Sequence, residues 1–164
     1  MFEKWKKNKN HDVKAVISGV IRNLENVNDQ AFSKGLLGKG VAILPQENVV
    51  RSPIDGKLSV VFPTGHAYGI TGKDGIEILI HIGIDTVGLK GEGFEILVKQ
   101  GQDIKQGDPL VKCDFNFIEE KGYQTDVLVI TTNSDQFSFE QLTVEGEHVD
   151  SLQSVIYRYG KKDE

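Results

Sequence analysis

Ile76-Glu77-Ile78-Leu79-Ile80-His81-Ile82 is the most apolar stretch of the chain, and one histidine interrupts it. Its shortness and its β-branched residues favour a strand over a helix. The turn Gly72-Lys73-Asp74-Gly75 leads into it, and Ala67 to Thr71 reads as the strand before that turn. Further upstream, Lys57 to Phe62 alternates as a half-buried strand after the turn Pro53-Ile54-Asp55-Gly56. Val13 to Ile21 reads as a first strand broken around Ser18-Gly19, Val41 to Leu44 as a second that stops at Pro45, and Asn48 to Ser52 as a short extended piece. Downstream, strands are expected within Phe94–Val98, Gln102–Val111, Asp126–Thr131, Leu142–Val144 and Val155–Tyr159. Phe115 to Lys121 makes a helical turn or two before Gly122. No segment longer than about ten residues sustains a 3.6 period, so helices are minor. Many short strands punctuated by 18 glycines predict an all-β sandwich or barrel.

At 164 residues the chain suits one domain and can bury about 70% of its unfolded surface, so it needs no disulfide or structural metal. Cys113 is the only cysteine, which excludes an internal disulfide and suits a reducing cytosol. It stands between Lys112 and Asp114 in an expected strand and reads as a structural thiol. The tip Met1-Phe2-Glu3-Lys4-Trp5-Lys6-Lys7 is charged and has no apolar h-region, so it is not a secretory signal. No apolar run approaches the roughly 20 residues that span a bilayer. The expectation is a cytoplasmic protein without a transmembrane segment, which can still meet a membrane-bound partner at the inner face.

The net charge of -5 argues against a nucleic-acid binder. Residues 1–14 hold five lysines against Glu3 and Asp12 and so net +3, leaving -8 on the remainder. Residues 1–12 are expected to form a flexible basic segment, able to rest on an anionic membrane, and 13–164 a single domain.

Of the four histidines, His11 lies in the polar tip and His148 in Glu145-Gly146-Glu147-His148, both facing solvent with no evident task. His81 shares a strand face with Leu79 and Gly83 if Ile78 and Ile80 point the other way. His66 follows Phe62-Pro63-Thr64-Gly65, and Thr64 falls on its face if the stretch is extended. The Thr64 hydroxyl can then accept a hydrogen bond from one ring nitrogen and fix the tautomer. The turn between their strands lets His66 and His81 converge. Such a pair suits a metal site or phosphoryl transfer, with one imidazole as nucleophile and the other steadying the phosphoryl oxygens. An ordinary core histidine, hydrogen-bonded to a backbone carbonyl, is the third reading. No His-x-His, HExxH or second cysteine completes a zinc site.

Phe62-Pro63-Thr64-Gly65-His66-Ala67-Tyr68, Ile80-His81-Ile82-Gly83-Ile84-Asp85-Thr86-Val87 and Leu89-Lys90-Gly91-Glu92-Gly93-Phe94 resemble the glucose-family enzyme IIA proteins of the bacterial phosphoenolpyruvate-dependent sugar phosphotransferase system. Ile17-Ser18-Gly19, Gly38 to Ile43, Ser52 to Gly56 and Gly101 to Asp108 extend the likeness, from about Val16 to Tyr159. The departures are small: Ile82 after the histidine, and Gly65 and Gly88 where more polar residues are common.

The resemblance implies an antiparallel β-sandwich with short helical turns. It implies that His81 takes a phosphoryl group on Nε2 from the phosphocarrier protein HPr and donates it to a cysteine of a permease IIB domain. His66 would steady the phosphoryl group, with Thr64 bonded to His66. Phe32, Phe62 and Val87 match an apolar rim for partner docking, and Asp29 and Asp85 match acidic positions that receive an arginine from the donor. No cofactor is implied. The only metal role it allows His66 and His81 is an intermolecular zinc, shared with a carboxylate of a regulatory target protein that the unphosphorylated form binds. The other readings are that regulatory role alone, or a zinc hydrolase like the lysostaphin-type peptidases, which have a related sandwich. With no permease segment in the sequence, a free-standing IIA is expected, and the sugar is not encoded.

Overall fold

The computed structural model describes residues 11–162. Its strands are β1 (His11–Lys14), β2 (Gly19–Asn23), β3 (Lys39–Pro45), β4 (Val49–Arg51), β5 (Gly56–Val61), β6 (Ala67–Thr71) and β7 (Glu77–Ile82). The second half adds β8 (Phe94–Ile96), β9 (Asp103–Ile104), β10 (Pro109–Cys113), β11 (Val127–Thr131), β12 (Phe137–Gln141), β13 (His148–Val149) and β14 (Val155–Lys161). Two short helices, α1 (Gln30–Ser33) and α2 (Phe115–Glu120), are each opened by an aspartate. Asp29 accepts the Ala31 N–H and Asp114 the Phe117 N–H, satisfying donors that a helix start leaves open.

An eight-stranded sheet runs β13-β2-β3-β11-β7-β6-β5-β9, and two three-stranded sheets run β1-β14-β12 and β4-β10-β8. Every pairing is antiparallel. The three sheets close on one apolar core that takes Val13, Ile21, Val50, Leu58, Tyr68, Ile80, Leu110, Val129 and Tyr157 from strands of all three. The antiparallel all-β fold read from the sequence is the one observed.

Alternation along β7 decides which way this architecture faces. Ile78, Ile80 and Ile82 enter the core, while Leu79 and His81 lie on the other face, half-buried. That outer face has its own small apolar cluster: Val27, Phe32, Ala42, Ile84, Leu128 and Ile130. β11 is therefore buried on both faces, which explains its uninterrupted apolar run.

Three details differ from the sequence reading. The loose segment expected over 1–12 gives way to strand at His11 and Asp12, because β1 pairs with β14 and Asp12 accepts from the Arg158 guanidinium at 2.8 Å; residues 1–10 lie outside the described residues. The single broken strand over Val13–Ile21 is two strands in different sheets, joined by the buried Ala15, Val16 and Ile17. The strand expected at Leu142–Val144 lies earlier, at Phe137–Gln141, where Phe137 and Phe139 pack on Tyr159 and Tyr157 of β14 at 5.6 and 4.7 Å.

Candidate functional site

One row of register partners crosses the large sheet on its outer face. Arg22 pairs with Ala42, Ala42 with Leu128, Leu128 with His81, and His81 with Ala67. Partners in register share a face, so His81 stands amid small and aliphatic neighbours. His66 precedes β6 by one residue, and its carbonyl accepts the Ile82 N–H at 2.7 Å. The two imidazoles meet edge to face, with centroids 5.2 Å apart at 79°. The convergence expected of these two histidines is present.

Each ring is held by one nitrogen. Nδ1 of His81 lies 2.9 Å from the Gly83 carbonyl. A carbonyl only accepts, so the neutral ring carries its proton on Nδ1 and leaves the Nε2 lone pair free. Nδ1 of His66 lies 2.6 Å from Oγ1 of Thr64, the partner expected from the sequence. Gly83 is required by this geometry, since its φ is 75° and a Cβ there would collide with the Thr86 side chain and the Gln124 carbonyl. Gly65 likewise has φ 75°, and a Cβ would stand 2.9 Å from that of Phe94.

Burial lowers the basicity of His81, and the Gly83 hydrogen bond and the carboxylates of Asp29 and Asp85 pull it back only in part. Burial also lowers His66, with the neighbouring His81 adding to the effect. Both rings are thus held neutral, the form in which nitrogen is nucleophilic.

Phe32 packs on His81 with centroids 5.1 Å apart, and Phe62 meets His66 edge-on at 5.2 Å. Phe32, which the resemblance matches to the apolar rim, is 6% exposed and forms a wall of the outer cluster. Phe62 at 41% and Val87 at 55% do present apolar surface. Asp29 caps α1, and Asp85 adopts a left-handed φ of 61° at the start of the 3-10 turn Thr86–Leu89.

The remaining candidates lie elsewhere. His11 stacks on Tyr159 at 5.3 Å and approaches Asp74 at 3.8 Å, and the exposed His148 pairs with Asp150 at 3.1 Å. Cys113 is buried, and its thiol is pushed up to about 12, which suits a core residue and not an acceptor. Among the described residues no group of three His, Cys, Asp or Glu side chains is placed to hold a metal ion. Among those residues the zinc-hydrolase reading therefore finds no ligand set. Among the same residues no helix is long and apolar enough to cross a membrane.

An antiparallel sandwich with two neutral imidazoles on one sheet face is the class this fold and site define. Residues 11–137 match the family described as phosphoenolpyruvate-dependent sugar phosphotransferase system, EIIA 1. The chain is 41% identical over 157 residues to the glucose-specific EIIA component of Staphylococcus epidermidis, covering 95% of this chain and 90% of that protein. It is 47% identical over 128 residues to a glucoside-specific EIICBA component of Staphylococcus carnosus, covering 78% of this chain and 18% of that longer protein. The solved glucose permease IIA from Mycoplasma capricolum superposes with a TM-score of 0.85 at 40% identity, covering 92% of this chain and 96% of that one. The chain belongs to the EIIA 1 family of the sugar phosphotransferase system. It is a phosphotransferase component acting in sugar uptake, as the motifs around His66 and His81 imply.

Proposed function

We propose that His81 carries the phosphoryl group, and the observation behind this is the fixing of its Nδ1 proton on the Gly83 carbonyl. In the reaction the Nε2 lone pair attacks the phosphorus of phospho-HPr. The bond from phosphorus to its leaving group breaks, a P–Nε2 bond forms, and the Nδ1 proton stays in place. Onward transfer reverses this: a cysteine thiolate of a IIB domain attacks phosphorus, and Nε2 keeps the electron pair.

His66 supports the reading as a donor to the phosphoryl oxygens through Nε2–H. That tautomer makes its Nδ1 an acceptor, so the Thr64 hydroxyl donates in this contact, the reverse of the direction first read from the sequence. Phe32 keeps water from the P–N bond, and Phe62 and Val87 are the apolar surface that docks both partners. Asp29 and Asp85 receive an arginine from HPr and also repel the bound phosphoryl charge, favouring its departure. On this reading the protein works on the cytoplasmic side and needs no resident cofactor.

The test incubates the protein with radiolabelled phosphoenolpyruvate, enzyme I and HPr. An acid-labile, base-stable adduct is expected, absent in His81→Ala. His66→Gln should still become labelled but pass the group to IIB about 100- to 1,000-fold more slowly, the usual cost of losing one such donor. Full labelling of His81→Ala would remove the assignment.

A further inference from the structure

Asp126 stands at the entrance to β11, two residues before Leu128 and therefore on the His81 face. Its side chain is 3% exposed, and Oδ2 lies 3.4 Å from Nε of Arg22. Neither atom has a hydrogen-bond partner. Burial pushes the carboxyl up, and the guanidinium pulls it back. The Arg22 side chain is 32% exposed, so the carboxylate is the buried partner; a pair in such geometry contributes little net stability, and apolar residues of similar volume often replace a buried one at no cost. Something other than stability therefore has to account for its position.

The main chain around the pair supplies a reason. Residues 124–126 lie just past the last register pairs of β11, Val127 with Ile82 on one flank and Val127 with Ile43 on the other. There the Asp126 carbonyl accepts the Gly83 N–H at 2.7 Å, and the Gln124 carbonyl accepts the Ile84 N–H at 3.1 Å. The same Gly83 peptide unit region offers the carbonyl that holds Nδ1 of His81. Arg22, from β2, reaches across β3 to Asp126 and ties this extension of the ladder to the far side of the sheet. From Arg22 to His81 is three strand spacings, roughly 14 Å, so the guanidinium acts at a distance.

We propose that Arg22 and Asp126 are positioning residues for His81: the pair anchors residues 124–126, these hold Gly83, and Gly83 keeps the imidazole proton on Nδ1. The consequence for phosphoryl transfer rests on the reading of His81 as acceptor; the effect on the tautomer does not.

The test compares the full-length protein with Asp126→Asn, Arg22→Lys and the double variant Arg22→Met with Asp126→Leu. Three quantities are measured: the ring-nitrogen NMR shifts of His81 without phosphoryl donor above pH 7, the rate of labelling by phospho-HPr, and the unfolding midpoint. In the double variant the midpoint should stay at or above that of the parent, while the Nδ1–H fraction falls and labelling slows about fivefold, the worth of one typical hydrogen bond. Arg22→Lys should recover part of both losses. If the double variant does not fold, Asp126→Asn, which preserves volume, carries the same comparison. A folded variant with the parent's tautomer ratio and rate overturns the proposal, as does slower labelling with an unchanged tautomer. A tautomer that responds to the pair in a protein never labelled on His81 supports the positioning role and removes the acceptor reading instead.

Discussion

The two faces of the large sheet are made from the same strands and do opposite work. On the inner face Ile78, Ile80 and Ile82 join a core supplied by all three sheets. On the outer face Leu128, Ala42 and Phe32 belong to a smaller cluster, and the Phe32 ring packs on His81. Alternation along a single strand thus places stability on one side and chemistry on the other, a residue apart. The outer face tolerates an imidazole because the ring is bonded through Nδ1, which leaves the Nε2 lone pair without an internal claim on it.

Exchanging the damage between faces is the largest test of this division. His81→Ala should abolish labelling while moving the unfolding midpoint little. Ile80→Ala, one residue away, should cost about 2–5 kcal/mol of stability and leave labelling per folded molecule unchanged. Thermal unfolding and labelling measured on the same two preparations decide it. Equal losses of both properties in both variants would dissolve the contrast.

A smaller effect follows from the lowered basicity of His81 and His66. As pH falls below the ordinary imidazole value of 6.5, the nucleophile stays neutral, so labelling should hold its plateau and decline only at lower pH. Stability has the opposite sign. The unfolded histidines take up protons first in that window, so the unfolded state binds more protons and folding weakens as pH falls. A labelling rate that halves near 6.5, with stability flat across the same range, would contradict the burial argument.

The inner face was the legible one. The β-branched alternation from Ile76 to Ile82 and the run from Asp126 to Thr131 mark strands because a buried face imposes a period that composition reveals. On the outer face the sequence places an imidazole among apolar residues but leaves nucleophile, ligand and core histidine open. The motifs around Thr64, His66 and His81 narrowed that choice. Two features escaped because they depend on contacts distant in sequence. The sheet change at Ala15–Ser18 reflects pairing with β14 and β3, and the Arg22–Asp126 pair joins residues far apart in the sequence across one intervening strand. The misplaced strand near Leu142 has a related cause. Val144 is 67% exposed, whereas the aromatic side chains that hold β12 are fixed by partners on β14.

The central claim concerns one atom, and phosphorus–nitrogen NMR coupling on the protein phosphorylated by phospho-HPr reads it directly. The account predicts a single phosphoryl group bonded to Nε2 of His81, with Nδ1 still protonated. A phosphoryl group on Nδ1 of His81, or on His66, would contradict it.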